Sequence, residues 1–247
     1  MPISFHRSVF AGTGSVFAGT GQLLPVLLLC LLSLPASQAI GQDAAVPLTP
    51  VEKQFNRIDF YIGAAGSLTS TVSGIEQRDA TTTHTNLTIG ASGTVGELFT
   101  LRYVAKPLLG FEFNFGNARF TQNYTFKPLP SSNLTFSGAQ TGVHELTLGY
   151  VAHLPYHPLG IQPYLGAGGG TMRFKPTPGG GEGLPEQYRA AYYYNLGVDE
   201  TFPSSHFGVR LGFRQLIYLA PDFLQNYLTI TRRVRTSEPT FGFYARF

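Results

Sequence analysis

The sequence predicts an all-β fold, an eight-stranded antiparallel up-and-down transmembrane β-barrel. Two observations carry that prediction. After residue 56 no segment has the 3.6-residue apolar period of a helix, whereas short stretches alternate apolar and polar residues with the period of a strand. The connections between those stretches alternate long and short, which places long loops at one end and tight turns at the other, as transmembrane barrels require.

Eight strands follow in order. Strand one, about Arg57 to Leu68, sets Ile58, Phe60, Ile62 and Ala64 against Asp59, Tyr61, Gly63 and Ala65. A Ser/Thr/Gly stretch to roughly Ser92 reads as a long polar loop. Strand two, Thr94 to Ala105, opposes Val95, Phe99, Leu101 and Tyr103 to Gly96, Thr100 and Arg102. The turn at Lys106-Pro107-Leu108 leads to strand three, Leu109 to Phe120, with Phe111, Phe113 and Phe115 against Gly110, Glu112, Asn114 and Gly116. A second long loop runs to about Gly142. Strand four is Val143 to His153, and strand five is Ile161 to Phe174 with the run Gly166 to Gly170 inside it. A third loop spans Lys175 to Glu186. Strand six is Arg189 to Thr201 and strand seven His206 to Tyr218. A fourth loop, holding Arg232, Arg233 and Arg235, precedes strand eight, Pro239 to Phe247.

The two faces differ in chemistry. One carries Phe, Leu, Ile and Tyr; the other carries Asp59, Arg102, Glu112, Glu145, Asp199, Arg210, Arg214 and Arg246 with most of the strand glycines. A lipocalin-like barrel would turn the apolar face inward. The bore of an eight-stranded barrel is just filled by side chains, and four acids facing four bases neutralise each other, as a buried set must. The apolar face therefore points to lipid and the eight charges form an interior network.

Residues 1–39 read as a signal peptide: Arg7, an uncharged core from Leu23 to Leu34 too short to span a bilayer, and small residues around Ser37-Gln38-Ala39. Residues 40–56 form a short lead-in, whose Pro47, Pro50, Glu52 and Lys53 argue against a docked element, and 57–247 form the barrel. The one cysteine, Cys30, lies in the apolar core, so about 208 residues without thiols follow cleavage. Arg7 is the one base lost and no acid is lost, leaving a net charge of +2, no footprint for nucleic acid.

Several stretches resemble the OmpA/OmpX-like family of outer-membrane β-barrels: Leu101-Arg102-Tyr103 with Gly110-Phe111-Glu112-Phe113, Gln162 to Gly170, Gly197-Val198-Asp199, Gly208 to Arg214, and the terminal Phe247. The resemblance covers residue 57 to the end. It implies a small barrel in the bacterial outer membrane with variable surface loops and no shared catalysis. It also implies that Phe241, Phe243 and Phe247 act as an assembly signal, with barrel-assembly machinery, periplasmic chaperones, lipid and lipopolysaccharide as partners. A peptidoglycan-binding domain after the barrel, as in full-length OmpA, is not expected, nor is a cell-wall tether.

Candidate chemistry is sparse. His84, His144, His153, His157 and His206 show no metal-ligand spacing, and His144-Glu145 has no serine beside it, so no catalytic, cofactor or metal site is expected. The Gly166 to Gly170 run opens no helix and reads as space for the bore rather than a phosphate cradle. Arg232, Arg233 and Arg235 are candidates for lipopolysaccharide phosphate contact, against the plainer reading of a solvated loop. Tyr103, Tyr150 and Tyr218 fit interfacial girdles. The function expected is a non-enzymatic structural or surface-interaction barrel with a possible extracellular partner at its loops; a small-solute channel is the alternative, and a lipid A-modifying enzyme a third.

Overall fold

A computed structural model describes residues 49–76, 85–128, 135–155, 161–202 and 206–247. A short helix α1 (Pro50–Phe55) precedes ten strands: β1 (Ile58–Thr69), β2 (Val72–Ile75), β3 (Thr85–Ala91), β4 (Thr94–Lys106), β5 (Leu109–Pro128), β6 (Thr135–His153), β7 (Gln162–Pro176), β8 (Gln187–Thr201), β9 (Phe207–Leu219) and β10 (Arg233–Arg246). Eight of them close a ring in which every pair is antiparallel. β4 to β10 pair in succession, and β1 bridges β10 and β4. The fold is an all-β, eight-stranded antiparallel barrel.

The expected signal peptide, Cys30, His84, His157, Ser131, Ser132 and most of the lead-in lie outside the described residues. At Pro50 the lead-in departs from expectation. Thr49 caps α1 by accepting from the Glu52 amide while Glu52 accepts from the Thr49 amide, and Pro50 occupies the first turn, where its missing N–H costs nothing. The helix touches the barrel through the Tyr103 hydroxyl, which donates to Gln54 Oε1 at 2.6 Å.

Outside, Phe111, Phe113, Leu146, Leu148, Leu165, Leu196, Leu211, Phe241 and Phe243 are exposed to the surroundings. Inside, Asp59, Arg102, Glu112, Glu145, Asp199, Arg210 and Arg214 are buried. This is the reverse of a soluble barrel. Such an exterior is matched to a bilayer, where a closed ladder leaves no backbone group unpaired.

Three predicted loops are partly strand. The long first loop contains β2 and β3, which pair with each other, and β3 then pairs the far half of β5. The second loop does not extend to Gly142: β5 and β6 stay paired from Gly110↔Val151 to Phe126↔Thr135. The reason is an inward stripe of Phe120, Tyr124, Ala139 and Val143 with something to pack against. β10 likewise begins at Arg233, not at Pro239. Pro239 sits mid-strand because the β1–β10 ladder skips it: the pairing runs Ala65↔Thr240 and then Leu68↔Ser237.

The seam between first and last strands is tight. Gly63 lies opposite Gly242, and a Cβ on Gly242 would come within 2.4 Å of Gly63 Cα and 2.3 Å of the Ile62 carbonyl oxygen. A Gly242→Val change is expected to force the seam apart and cost about 1–3 kcal/mol or more. Heat-modifiable gel migration of the refolded protein measures this, and wild-type yields of compact barrel would refute it.

Candidate functional site

The bore is filled in layers, and the strand register explains how. Arg246, Asp59, Arg102 and Glu112 lie side by side on four neighbouring strands, so opposite charges alternate across the wall. On the other side of the ring Asp199 faces Arg210.

In the layer nearest the tight turns, Arg210 grips Asp199 with two bonds of 2.7 and 2.9 Å and reaches Asp59 at 3.1 Å. Arg102 donates to Glu112 at 2.8 Å and to Asp199 at 3.4 Å. Aromatic rings complete the enclosure: the Arg102 guanidinium lies 4.3 Å from the Tyr164 ring centre, and that of Arg210 5.0 Å from Tyr244. Arg246 is at the rim, with 3.9 Å between its Nη2 and Asp59 Oδ2.

The next layer is neutral apart from Glu112. Its Oε1 accepts from the Tyr193 hydroxyl at 2.9 Å and from Asn195 Nδ2 at 2.6 Å. Asn114 links Thr100, Thr147 and Tyr193. Above it, Arg214 holds Glu145 with both terminal nitrogens and Glu238 at 3.0 Å. A cavity of about 30 Å³ adjoins this cluster, room for little more than one or two waters.

Two interior groups escaped the sequence reading. Glu238 belongs to the inward face of β10 but was assigned to a loop. His153 is buried with Nε2 3.5 Å from Asp199 and 3.3 Å from Arg102 Nη1. Among the described residues the ion-pair network thus holds five carboxylates, Asp59, Glu112, Glu145, Asp199 and Glu238, rather than four, against Arg102, Arg210, Arg214 and Arg246. The inward parity of Thr236, Glu238 and Thr240 was the signal, hidden by starting the strand at Pro239.

The long-loop end is closed differently. Residues between β9 and β10 fold back into the mouth, burying Ala220, Phe223, Leu228 and Ile230 against Leu87, Ile89, Phe120, Tyr124, Phe174 and Tyr218. The fourth loop is therefore an apolar cap and not a polar loop. Tyr218 is correspondingly no girdle residue: it is buried, its hydroxyl 2.9 Å from Thr236 Oγ1. Tyr103 and Tyr150 face outward.

Asp222 fixes the cap. It accepts from Gln187 Nε2 and the Leu224 amide, its Oδ2 accepts from Thr229, and it pairs with Arg189 at 2.7 Å. Gln187 Oε1 in turn accepts from the amides of Asp222 and Phe223. The bracing holds Phe223 and Leu224 at positive φ of 48° and 59°, which costs side-chain-bearing residues energy. Burial favours the neutral acid, but the Gln187, Leu224 and Arg189 contacts outweigh it and hold the Asp222 carboxyl below its ordinary value. On the neighbouring β7–β8 connection, hydrogen bonds from Arg173 bring the Glu186 carboxyl down to about 2.

The other sequence-derived candidates scatter. His144 lies against Phe115 on the outer face, and His206 Nδ1 is 3.2 Å from the Arg246 carbonyl at the turn end. Arg232, Arg233 and Arg235 are exposed; Arg233 and Arg235 sit on the outward face of β10 beside Leu219 and Ile217. Phe241, Phe243 and Phe247 form an exposed row on the same face. The Gly166 to Gly170 run is an unbroken part of β7.

No protein-family model matches the chain. No curated protein matches it either. Solved structures do. The outer membrane protein OprG of Pseudomonas aeruginosa is 17% identical over 77% of this chain and 95% of its own, with a TM-score of 0.48. Neisserial surface protein A is 14% identical over 76% and 97%, TM-score 0.46. The attachment invasion locus protein Ail of Yersinia pestis, solved with the heparin analogue sucrose octasulfate, is 12% identical over 76% and 99%, TM-score 0.39. The likeness is to small outer-membrane barrels. It is a likeness of fold, and the barrel stands on the chain's own strand pairing.

Two outcomes follow from the layers. Arg214→Met leaves Glu145 and Glu238 without their cation and is expected to destabilise the barrel by about 3–5 kcal/mol in urea unfolding, whereas Glu145→Gln costs less because Arg214 keeps Glu238. For the cap, the depressed Asp222 carboxyl contributes stability that is present above the ordinary carboxylate range near pH ~4 and is lost as pH falls through its lower folded value. Proteolysis within 220–232 is expected to rise on acidification below about pH 4, and Asp222→Ala to show the same cleavage at neutral pH.

Proposed function

We propose that this chain is a non-enzymatic barrel of the bacterial outer membrane whose role is structural and surface-interactive, carried by the wall that rises above the lipid belt. The supporting observation is that side chains fill the bore from the Arg102–Asp199–Arg210 layer to the Phe223 cap. A pore needs an open path, and buried guanidiniums pinned by several carboxylate bonds give none. The chain instead presents surface: β5 and β6 continue past the last outward apolar pair, Phe115↔Leu146, through Asn117, Arg119, Thr121, Asn123 and Lys127.

In this reading residues 1–39 direct export, residues 40–56 lie in the periplasm, and the Phe241, Phe243 and Phe247 row is read during assembly by the barrel-assembly machinery. Arg232, Arg233 and Arg235 contact lipopolysaccharide phosphates. Their support is position: Arg233 and Arg235 sit on the outer face level with Leu219 and Ile217, Arg232 adjoins them, and none has an acidic partner among the described residues. Phosphate at that level would meet guanidiniums able to make charge-assisted bonds.

The test has two parts. Planar-bilayer recordings of the purified protein are expected to be silent; reproducible unitary steps would replace this proposal with the channel. Replacing Arg232, Arg233 and Arg235 by Gln is expected to weaken lipopolysaccharide retention about tenfold, through loss of several contacts of about 0.5–1 kcal/mol each. Unchanged retention would remove the arginines from that role.

A further inference from the structure

The turn end of the barrel carries a second basic feature, inside the mouth. A concavity of about 220 Å³ opens there, lined by Arg57, Lys106, Arg246 and His153 together with Asn56 and Gln162 among others, and none of its lining residues is acidic. Arg57 and Lys106 make no ion pair among the described residues, and Arg246 has only its 3.9 Å approach to Asp59.

The floor supplies an independent observation. His153 is 1% exposed, and its Nδ1 has no hydrogen-bond partner among the described residues. Its Nε2 lies 3.3 Å from Arg102 Nη1, which can only donate. In the neutral tautomer whose Nε2 accepts from Arg102, Nδ1 carries a hydrogen and is a buried donor with no acceptor among the described residues. The wall beside it is also irregular. β4 bulges between Val104 and Lys106, so Ala105 has no partner in the β4–β5 register and Lys106 is re-aimed at the mouth.

We propose that this concavity binds an oxyanion, a phosphate or carboxylate group, held by Arg57, Lys106 and Arg246 at the rim and by the His153 Nδ1–H at the floor. The charge balance favours it: three cations converge where no lining acid answers them, and an oxyanion offers several acceptors to donors of different direction. The site is at the opposite end from Arg232, Arg233 and Arg235 and stands or falls independently of their role.

The experiment uses the full chain folded in uncharged detergent micelles with its histidine rings isotopically labelled. Sodium phosphate, and separately sodium acetate, is titrated at fixed ionic strength against sodium chloride while the His153 resonances are followed by NMR. A saturable shift with a dissociation constant on the order of 1 mM is expected, weakened about tenfold in Arg57→Gln/Lys106→Gln, a loss of about 1.4 kcal/mol. These two side chains lie outside the buried network, and unchanged heat-modifiable migration verifies that the variant is folded. Mixed micelles with lysophosphatidylglycerol separate the sources: saturation by inorganic phosphate or acetate assigns a free anion, and saturation by the lipid alone assigns a headgroup. A response no different from chloride with every probe, or equal affinity in wild type and variant, overturns the site.

Discussion

The pairing of β1 with β10 is the constraint on which everything else depends. In hydrocarbon no water can satisfy a free amide or carbonyl, so a sheet persists there only if its two edges find each other. Here they do so over nine register positions from Asp59↔Arg246 to Thr69↔Thr236. The seam needs Gly63 against Gly242, and it tolerates Pro239 only because the ladder lapses opposite Gly66 and Ser67. Closure in turn fixes the size of the bore, and eight strands leave space for side chains and little else.

That narrowness decides what the interior can contain. Guanidiniums are long and planar and can each serve two carboxylates, so three of them bridge the bore at two heights. Removing such a group would strand its partners, while the pair itself contributes little net stability over an apolar filling. The charged layers therefore specify register more than they add free energy. A strand shifted by one residue would send Arg210 or Arg214 into lipid. The apolar cap at the other mouth follows a different logic, that of an ordinary hydrophobic core.

The barrel was legible because its two faces use disjoint residue types with a period of two. Phe111, Phe113 and Phe115 against Glu112 and Asn114 leave no doubt about parity. Legibility failed where the outer face turns polar. From Asn117 to Lys127 both faces include Asn, Gln or Thr, so the alternation fades and the segment reads as a loop, although Phe120, Tyr124 and Phe126 keep the inward beat. The same holds for Leu87 and Ile89 in β3. Phe223, Leu228 and Ile230 were visible as apolar residues, but only the fold reveals a cavity mouth for them to fill. His153 was seen as one of several scattered histidines, because its proximity to Asp199 arises from strand neighbours far apart in sequence.

The height of β5 and β6 has a further consequence. Their paired course from Asn117 to Phe126 runs about 30 Å along the strand at ~3.3 Å per residue, or roughly 23 Å of rise at the tilt usual for barrels. β2 and β3 widen this into a four-stranded blade whose inner side is committed to the cap. On its outer side Asn123 and Lys127 are exposed. Evolution can therefore rewrite the side that meets the outside world without disturbing the one that keeps the molecule folded.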